Sequence, residues 1–343
     1  MSSSPAFTLA FPGPPERLSG GTRYDRAVCG ACAARGADAA TLVLRGDFPR
    51  PSQAARREAL AQLRAVPRAR LLVVDGLALG ALPEEMAELA QERRVVALCH
   101  HPLADEGPGA ADLAAGERAS LAWACGVLAT SAATARSLSR DYGVPAASVA
   151  VARPGVAPWA RAQAARDARR RAGPLRVLVV GALSPRKAQR ALVATLAPLS
   201  GEVTLTLVGS DADAAYAGAL RGDLAGLADR QAVRLLGSVS DAELAALHGE
   251  ADLFVSASRH EGYGMAVADA LAAGLPVVAR GAGALAALVP PALQVPTDAA
   301  LADRVVGVAA DPAARGPGTG GGDPGAPTRR IGGGTAGGFG GGG

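Results

Sequence analysis

The sequence predicts an α/β protein made of two parallel-sheet domains, and three observations carry that prediction. Short apolar runs alternate with helical patterns along the chain. The alternation breaks at Pro154-Gly155 and resumes at Leu175. The chain has 343 residues, enough for two domains. Alternation of this kind builds parallel sheets, which hold ligands in the crevice at the carboxyl ends of their strands.

In the first series, strands are expected at residues 7–11, 41–44, 71–74, 95–98 and 127–129, with 148–152 closing the half. Helical patterns lie between them, such as 24–35 and 112–124. In the second series the expected strands are 175–180, 203–208, 233–236, 253–255 and 276–279. Helices are expected over 185–196, 212–227, 241–248 and 265–273, the last stopped by Gly274 and Pro276. The boundaries that follow are a first domain over 1–155, a linker over 156–174, a second domain over 175–312 and a tail over 313–343. The tail is dominated by Gly and Pro and is expected to be disordered. Arg166 and Arg169 to Arg171 make the linker basic; a solvated segment is the first reading, and peripheral contact with acidic lipid the alternative.

Composition narrows the partners. Hydrophobic residues are 49% and aromatics 3%, so Ala, Val and Leu must fill the cores. A net charge of +4 points to neither nucleic acid nor membrane. The N-terminus lacks a basic stretch followed by a long apolar one, and no apolar run would cross a bilayer. A cytoplasmic protein with four reduced cysteines is therefore expected. Cys29-Gly30-Ala31-Cys32 falls inside a helical pattern with no second pair, which argues against a redox or zinc site. Asp211-Ala212-Asp213 has the spacing of a metal-binding pair but opens a helix, where N-capping is the simpler role. No metal and no cofactor are expected.

Residues 251–279 carry the densest signal. An apolar strand leads into Arg259-His260-Glu261-Gly262-Tyr263-Gly264, and a helix opens at Met265. Free N–H groups and the positive end of a helix make that turn an anion site. Glu261 lies on the loop, and Asp269 is the one acid in an otherwise apolar helix, a costly placement without hydrogen-bond donors. Gly20-Gly21 after the first strand would let backbone approach a ligand. His100-His101 ends the fourth strand, with His100 the better candidate to face the crevice and His101 the alternative. Arg186-Lys187 follows Pro185 at an expected helix start, where two cations suit a diphosphate.

The stretch around Glu261 and Asp269 resembles the nucleotide-binding signature of retaining glycosyltransferases of family 4, whose architecture is GT-B: two Rossmann-like domains facing each other across a cleft. Ser19 to Arg26, the Arg186-Lys187 pair, Thr130 to Thr134 with Ser131, Arg153 to Val156 and the Leu236-Gly237-Ser238-Val239 stretch resemble further segments of that family. The resemblance implies a nucleoside-diphosphate sugar donor, UDP- or GDP-linked, and an acceptor that one sequence does not reveal. It implies catalytic roles for His100, Lys187 and Glu261. It implies donor contacts from Gly20, Gly21, Arg186, Lys187, Gly237, Glu261, Gly262, Tyr263, Gly264, Met265 and Asp269. Two departures stand out: Asp269 occupies a position where the family has Glu, and Ala182 one where many members have Arg. Family members also finish with a long helix returning to the first domain, and this tail has no such pattern. A non-catalytic or degraded nucleotide-sugar binder is therefore the second reading, and a GT-B sugar-nucleotide epimerase the third.

Overall fold

The computed structural model describes residues 6–13, 20–106, 110–163, 173–199, 201–229 and 232–310. The tail, the basic patch of the linker and Ser19 lie outside the described residues. Among the described residues the first lobe has six strands: β1 (Ala6–Pro12), β2 (Asp38–Leu44), β3 (Leu71–Asp75), β4 (Val95–Cys99), β5 (Gly126–Ala129) and β6 (Val149–Val151). They form one sheet in the order β2-β1-β3-β4-β5-β6. The second lobe has β7 (Leu175–Val180), β8 (Val203–Val208), β9 (Val233–Leu235), β10 (Leu253–Ser256), β11 (Val277–Arg280) and β12 (Gln294–Val295), in the order β12-β11-β10-β7-β8-β9. Every pairing in both sheets is parallel.

Parallel sheets need both faces covered, so their central strands read as continuous apolar runs. All of β10 is buried, as is β3 from Leu72 onward. Strand order reverses between β1 and β3 in the first sheet and between β7 and β10 in the second. Those reversals open the two crevices in which such folds bind ligands.

Three local differences from the sequence expectation matter for the site. The helix after β1 begins at Gly20, so Gly20 and Gly21 form its first turn instead of a free loop. The helix expected over 185–196 is split. Pro185–Lys187 is a 3-10 turn, Ala188 adopts a left-handed conformation (φ 56°), and the α-helix starts at Gln189. Arg186 and Lys187 are thus presented by a tight turn after β7 and not by a helix end. Finally, the described start of the linker is packed. The helix Pro158–Gln163 contacts the helices Asp241–Glu250 and Met265–Ala272, and Trp159 lies on the His248 ring, centroids 4.7 Å apart.

The lobes meet along the carboxyl ends of both sheets. Met265 packs against a first-lobe cluster of Leu9, Phe11, Tyr24, Val73 and Leu98. The Thr134 hydroxyl donates to the Gly262 carbonyl at 3.2 Å. A side chain at Gly262 would meet the His100 carbonyl oxygen at 1.9 Å, so only glycine allows this approach.

Candidate active site

On the second lobe, the turn after β7 and the loop after β10 converge. Lys187 Nζ lies 2.5 Å from Glu261 Oε1, and Arg186 Nη1 lies 3.6 Å from Glu261 Oε2. Arg186 also donates to the His260 carbonyl at 3.2 Å, while its own carbonyl accepts from Arg259 N–H. These bonds fix the two segments to each other. Burial opposes the charge on Glu261, but Lys187 and then Arg186 more than reverse that and bring its pKa down to about 2. Burial pulls the Lys187 pKa down despite Glu261. Gly264, at φ 93°, sits before the helix at Met265, and Gly283 lets Ala284 N–H reach the Glu261 carbonyl at 2.8 Å. Tyr263 is half-buried beside this turn.

The first lobe completes the cluster with a residue that sequence reasoning missed. Glu106, on the 3-10 turn Leu103–Glu106, pairs with His101 Nε2 at 2.8 Å and faces Arg186 Nε at 3.6 Å. Burial works against its charge; His101, Arg186 and Lys187 outweigh it and lower its pKa to about 2. The sequence signal was an acid five positions after His101, which only a turn back toward the strand end makes useful. His260 reaches across to Asp105 at 3.4 Å.

Several expected site residues stand elsewhere. His100 turns Nε2 toward two carboxylates of its own lobe, Asp75 Oδ2 at 3.0 Å and Asp25 Oδ1 at 3.3 Å, so His101 is the histidine joined to the Arg186 cluster. Burial disfavours the His100 charge, yet Asp25 and Asp75 carry its pKa up to about 10. Asp269 is 2% exposed, and both its oxygens have partners: Oδ1 accepts from Ala157 N–H at 2.7 Å, and Oδ2 meets Arg23 Nη1 at 3.0 Å. The expected ribose acid thus holds the linker and the first lobe together in this arrangement. Ser131 caps the helix Ala132–Asp141 by accepting from Thr134 N–H. Gly237 accepts from Gly209 N–H, and Gly209 lies against the Gly181 carbonyl, next to the Lys187 side chain. A side chain at Gly20 would come 4.0 Å from Met265 Sδ. Asp213 caps the helix Ala214–Ala225 as expected, and Asp211 pairs with Arg221.

Residues 174–311 match the family model "Glycosyl transferases group 1". The matched residues span the second lobe. No curated protein matches the chain by sequence. The two lobes together have the GT-B arrangement of solved glycosyltransferase structures. HepE of Anabaena, solved with UDP and glucose, is 19% identical with a TM-score of 0.67, over 90% of this chain and 91% of that one. A sucrose-phosphate synthase of Thermosynechococcus elongatus is 22% identical with a TM-score of 0.70, at the same coverage. An α,α-trehalose 6-phosphate synthase of Burkholderia multivorans is 16% identical with a TM-score of 0.64, over 91% and 92%. No described helix is long and apolar enough to cross a membrane.

Proposed function

We propose that the protein is a retaining glycosyltransferase that moves a hexose from a UDP- or GDP-linked donor to an acceptor bound by the first lobe. The observation that carries this reading is the meeting of Arg186, Lys187 and Glu261 at the β7/β10 crevice, facing the other lobe. Two partly buried cations beside the loop that leads into the Met265 helix suit a diphosphate, whose negative charge grows as it leaves the sugar. Glu261 is held ionised by its neighbours and would accept hydrogen bonds from sugar hydroxyls. Glu261 and Glu106 balance Arg186 and Lys187, so an incoming diphosphate would compete with those carboxylates for the two cations. Asp269 would meet the ribose on the side where Arg23 now pairs with it. The UDP and UDP-glucose complexes of HepE support the donor class.

The experiment is a donor panel. UDP- and GDP-sugars are screened by thermal shift, then assayed for hydrolysis and transfer with wild type and Glu261→Gln. Stabilisation by a nucleotide sugar together with turnover that Glu261→Gln loses is expected. A folded protein that no nucleotide sugar stabilises would refute the reading. The second reading, a binder without turnover, is favoured by one observation: Ala182 stands where the resembled family often has a further Arg, which leaves one cation fewer to stabilise a departing diphosphate. Titration calorimetry showing tight nucleotide-sugar binding with no transfer across an acceptor screen would select it.

A further inference from the structure

Beneath the first lobe's side of the cleft, three side chains from three elements converge. Asp25 comes from the helix after β1, Asp75 from the end of β3 and His100 from the residue after β4. One ligating atom of each lies within 4.8 Å of the others. Asp25 is 1% exposed and Asp75 is 3% exposed. The decisive detail is directional. His100 Nε2 lies 3.0 and 3.3 Å from two carboxylate oxygens but makes no hydrogen bond, and Asp25 Oδ1 has no hydrogen-bond partner either. At those distances the oxygens must lie off the ring N–H direction. That is the relation between neighbouring ligands of one ion. With bonds of about 2.1 Å, ligand atoms stand about 3.0 Å apart in an octahedral site and about 3.4 Å apart in a tetrahedral one.

We propose that Asp25, Asp75 and His100 form a divalent-cation site in the floor of the first lobe. The surroundings are built to hold it. Asp75 Oδ1 accepts from Leu77 N–H at 2.8 Å, which aims Oδ2 at the centre of the group. The Tyr24 ring stands edge-on to His100, with centroids 5.4 Å apart, and its hydroxyl is anchored on the Ala152 carbonyl at 2.8 Å. Such outer contacts orient ligands and tune affinity. Metal binding would release the His100 Nε2 proton to solvent, leaving two carboxylates and a neutral imidazole around a double positive charge. One nitrogen with two oxygens suits a first-row ion such as Zn2+ or Mn2+ better than Mg2+ or Ca2+, which favour oxygen alone. Three protein ligands leave positions for water or an acceptor oxygen. This departs from the metal-free expectation drawn from the sequence, where the three residues are scattered between positions 25 and 100 and form no motif.

The test needs no nucleotide, so its outcome is independent of the donor reading. Full-length untagged protein is stripped with a chelator and titrated with Zn2+ against a chromophoric competitor, and with Mn2+ by electron paramagnetic resonance. One equivalent should bind and raise the melting temperature. Asp25→Asn and Asp75→Asn should each weaken binding at least about tenfold, while their metal-free forms match metal-free wild type by circular dichroism. Absence of saturable binding to folded wild type would overturn the proposal, as would unchanged affinity in Asp25→Asn and His100→Gln. Should those variants fail to fold, the His100 ring nitrogen resonances of wild type decide the question. They must move on Zn2+ addition; a ring that stays doubly protonated in excess Zn2+ marks a plain imidazolium shared by two carboxylates and ends the idea.

Discussion

The two lobes share an architecture yet line their facing crevices with opposite charge. At the second lobe's reversal point stand Arg186 and Lys187, with Glu261 as their internal partner. At the first lobe's reversal point stand Asp25 and Asp75 around His100, with Glu117 and Glu106 nearby. A parallel sheet supplies the same crevice in both cases, and only the loop residues decide what it attracts. One floor presents two cations and the other two buried carboxylates. The halves meet where Glu106 of the acidic lobe reaches the Arg186 of the basic one.

The strongest way to break the comparison is to remove the cation. Lys187→Ala should lower kcat/KM for nucleotide-sugar turnover by about 10²–10³, the usual effect of deleting one electrostatic stabiliser of a leaving group. An unchanged rate would show that the basic floor is not the diphosphate site. Next in size is the contact between the lobes. Gly262→Ala places a methyl group against the His100 carbonyl and should force the lobes apart. A shift of about 1 Å costs about 10² in rate, and small-angle scattering should report a more open particle.

The acidic floor is probed by pH. Burial lifts the Glu117 pKa to about 7, against the opposing pull of its bond from Leu103 N–H. A carboxyl raised on folding favours the folded state below about 4.5 and loses that contribution as pH rises through about 7. Glu117→Gln should therefore gain stability on wild type between pH 5 and 8, on the order of 1–3 kcal/mol at the upper end. Denaturant melts across that range that run parallel would contradict this. The smallest effect is expected at the tie between lobes. Arg23 is partly exposed while Asp269 is buried, so Arg23→Gln should cost about 1 kcal/mol. If Arg23 competes with ribose for Asp269, the same variant should bind donor no more weakly than wild type; clearly weaker binding would make Arg23 a ligand instead.

Much of this was legible in the chain. Apolar runs such as Leu175–Val180 and Val203–Val208 became strands with the expected bounds, because a buried parallel strand must be continuously apolar. The pairing of the Arg186-Lys187 turn with the Glu261 loop was also legible, since both follow strands that the fold places side by side. The exceptions have particular causes. Gln189–Leu196 lost its first turn because Ala188 is left-handed, a backbone state that residue type alone does not announce. Asp269 was read as waiting for a ligand because its partners, Ala157 and Arg23, are 112 and 246 positions away.

By itself, then, the sequence determined the two β/α lobes, the strands and glycines that shape each crevice, and the cation and carboxylate of the second one. These depend on local periodicity and on residues close to one another in the chain. Only the tertiary structure decided who faces whom across the cleft: Glu106 against Arg186, Arg23 against Asp269, and Asp25 beside Asp75 at His100. Electrostatic pairing acts through distances of a few ångströms, and those distances are set by the packing of one lobe on the other, which no stretch of sequence carries.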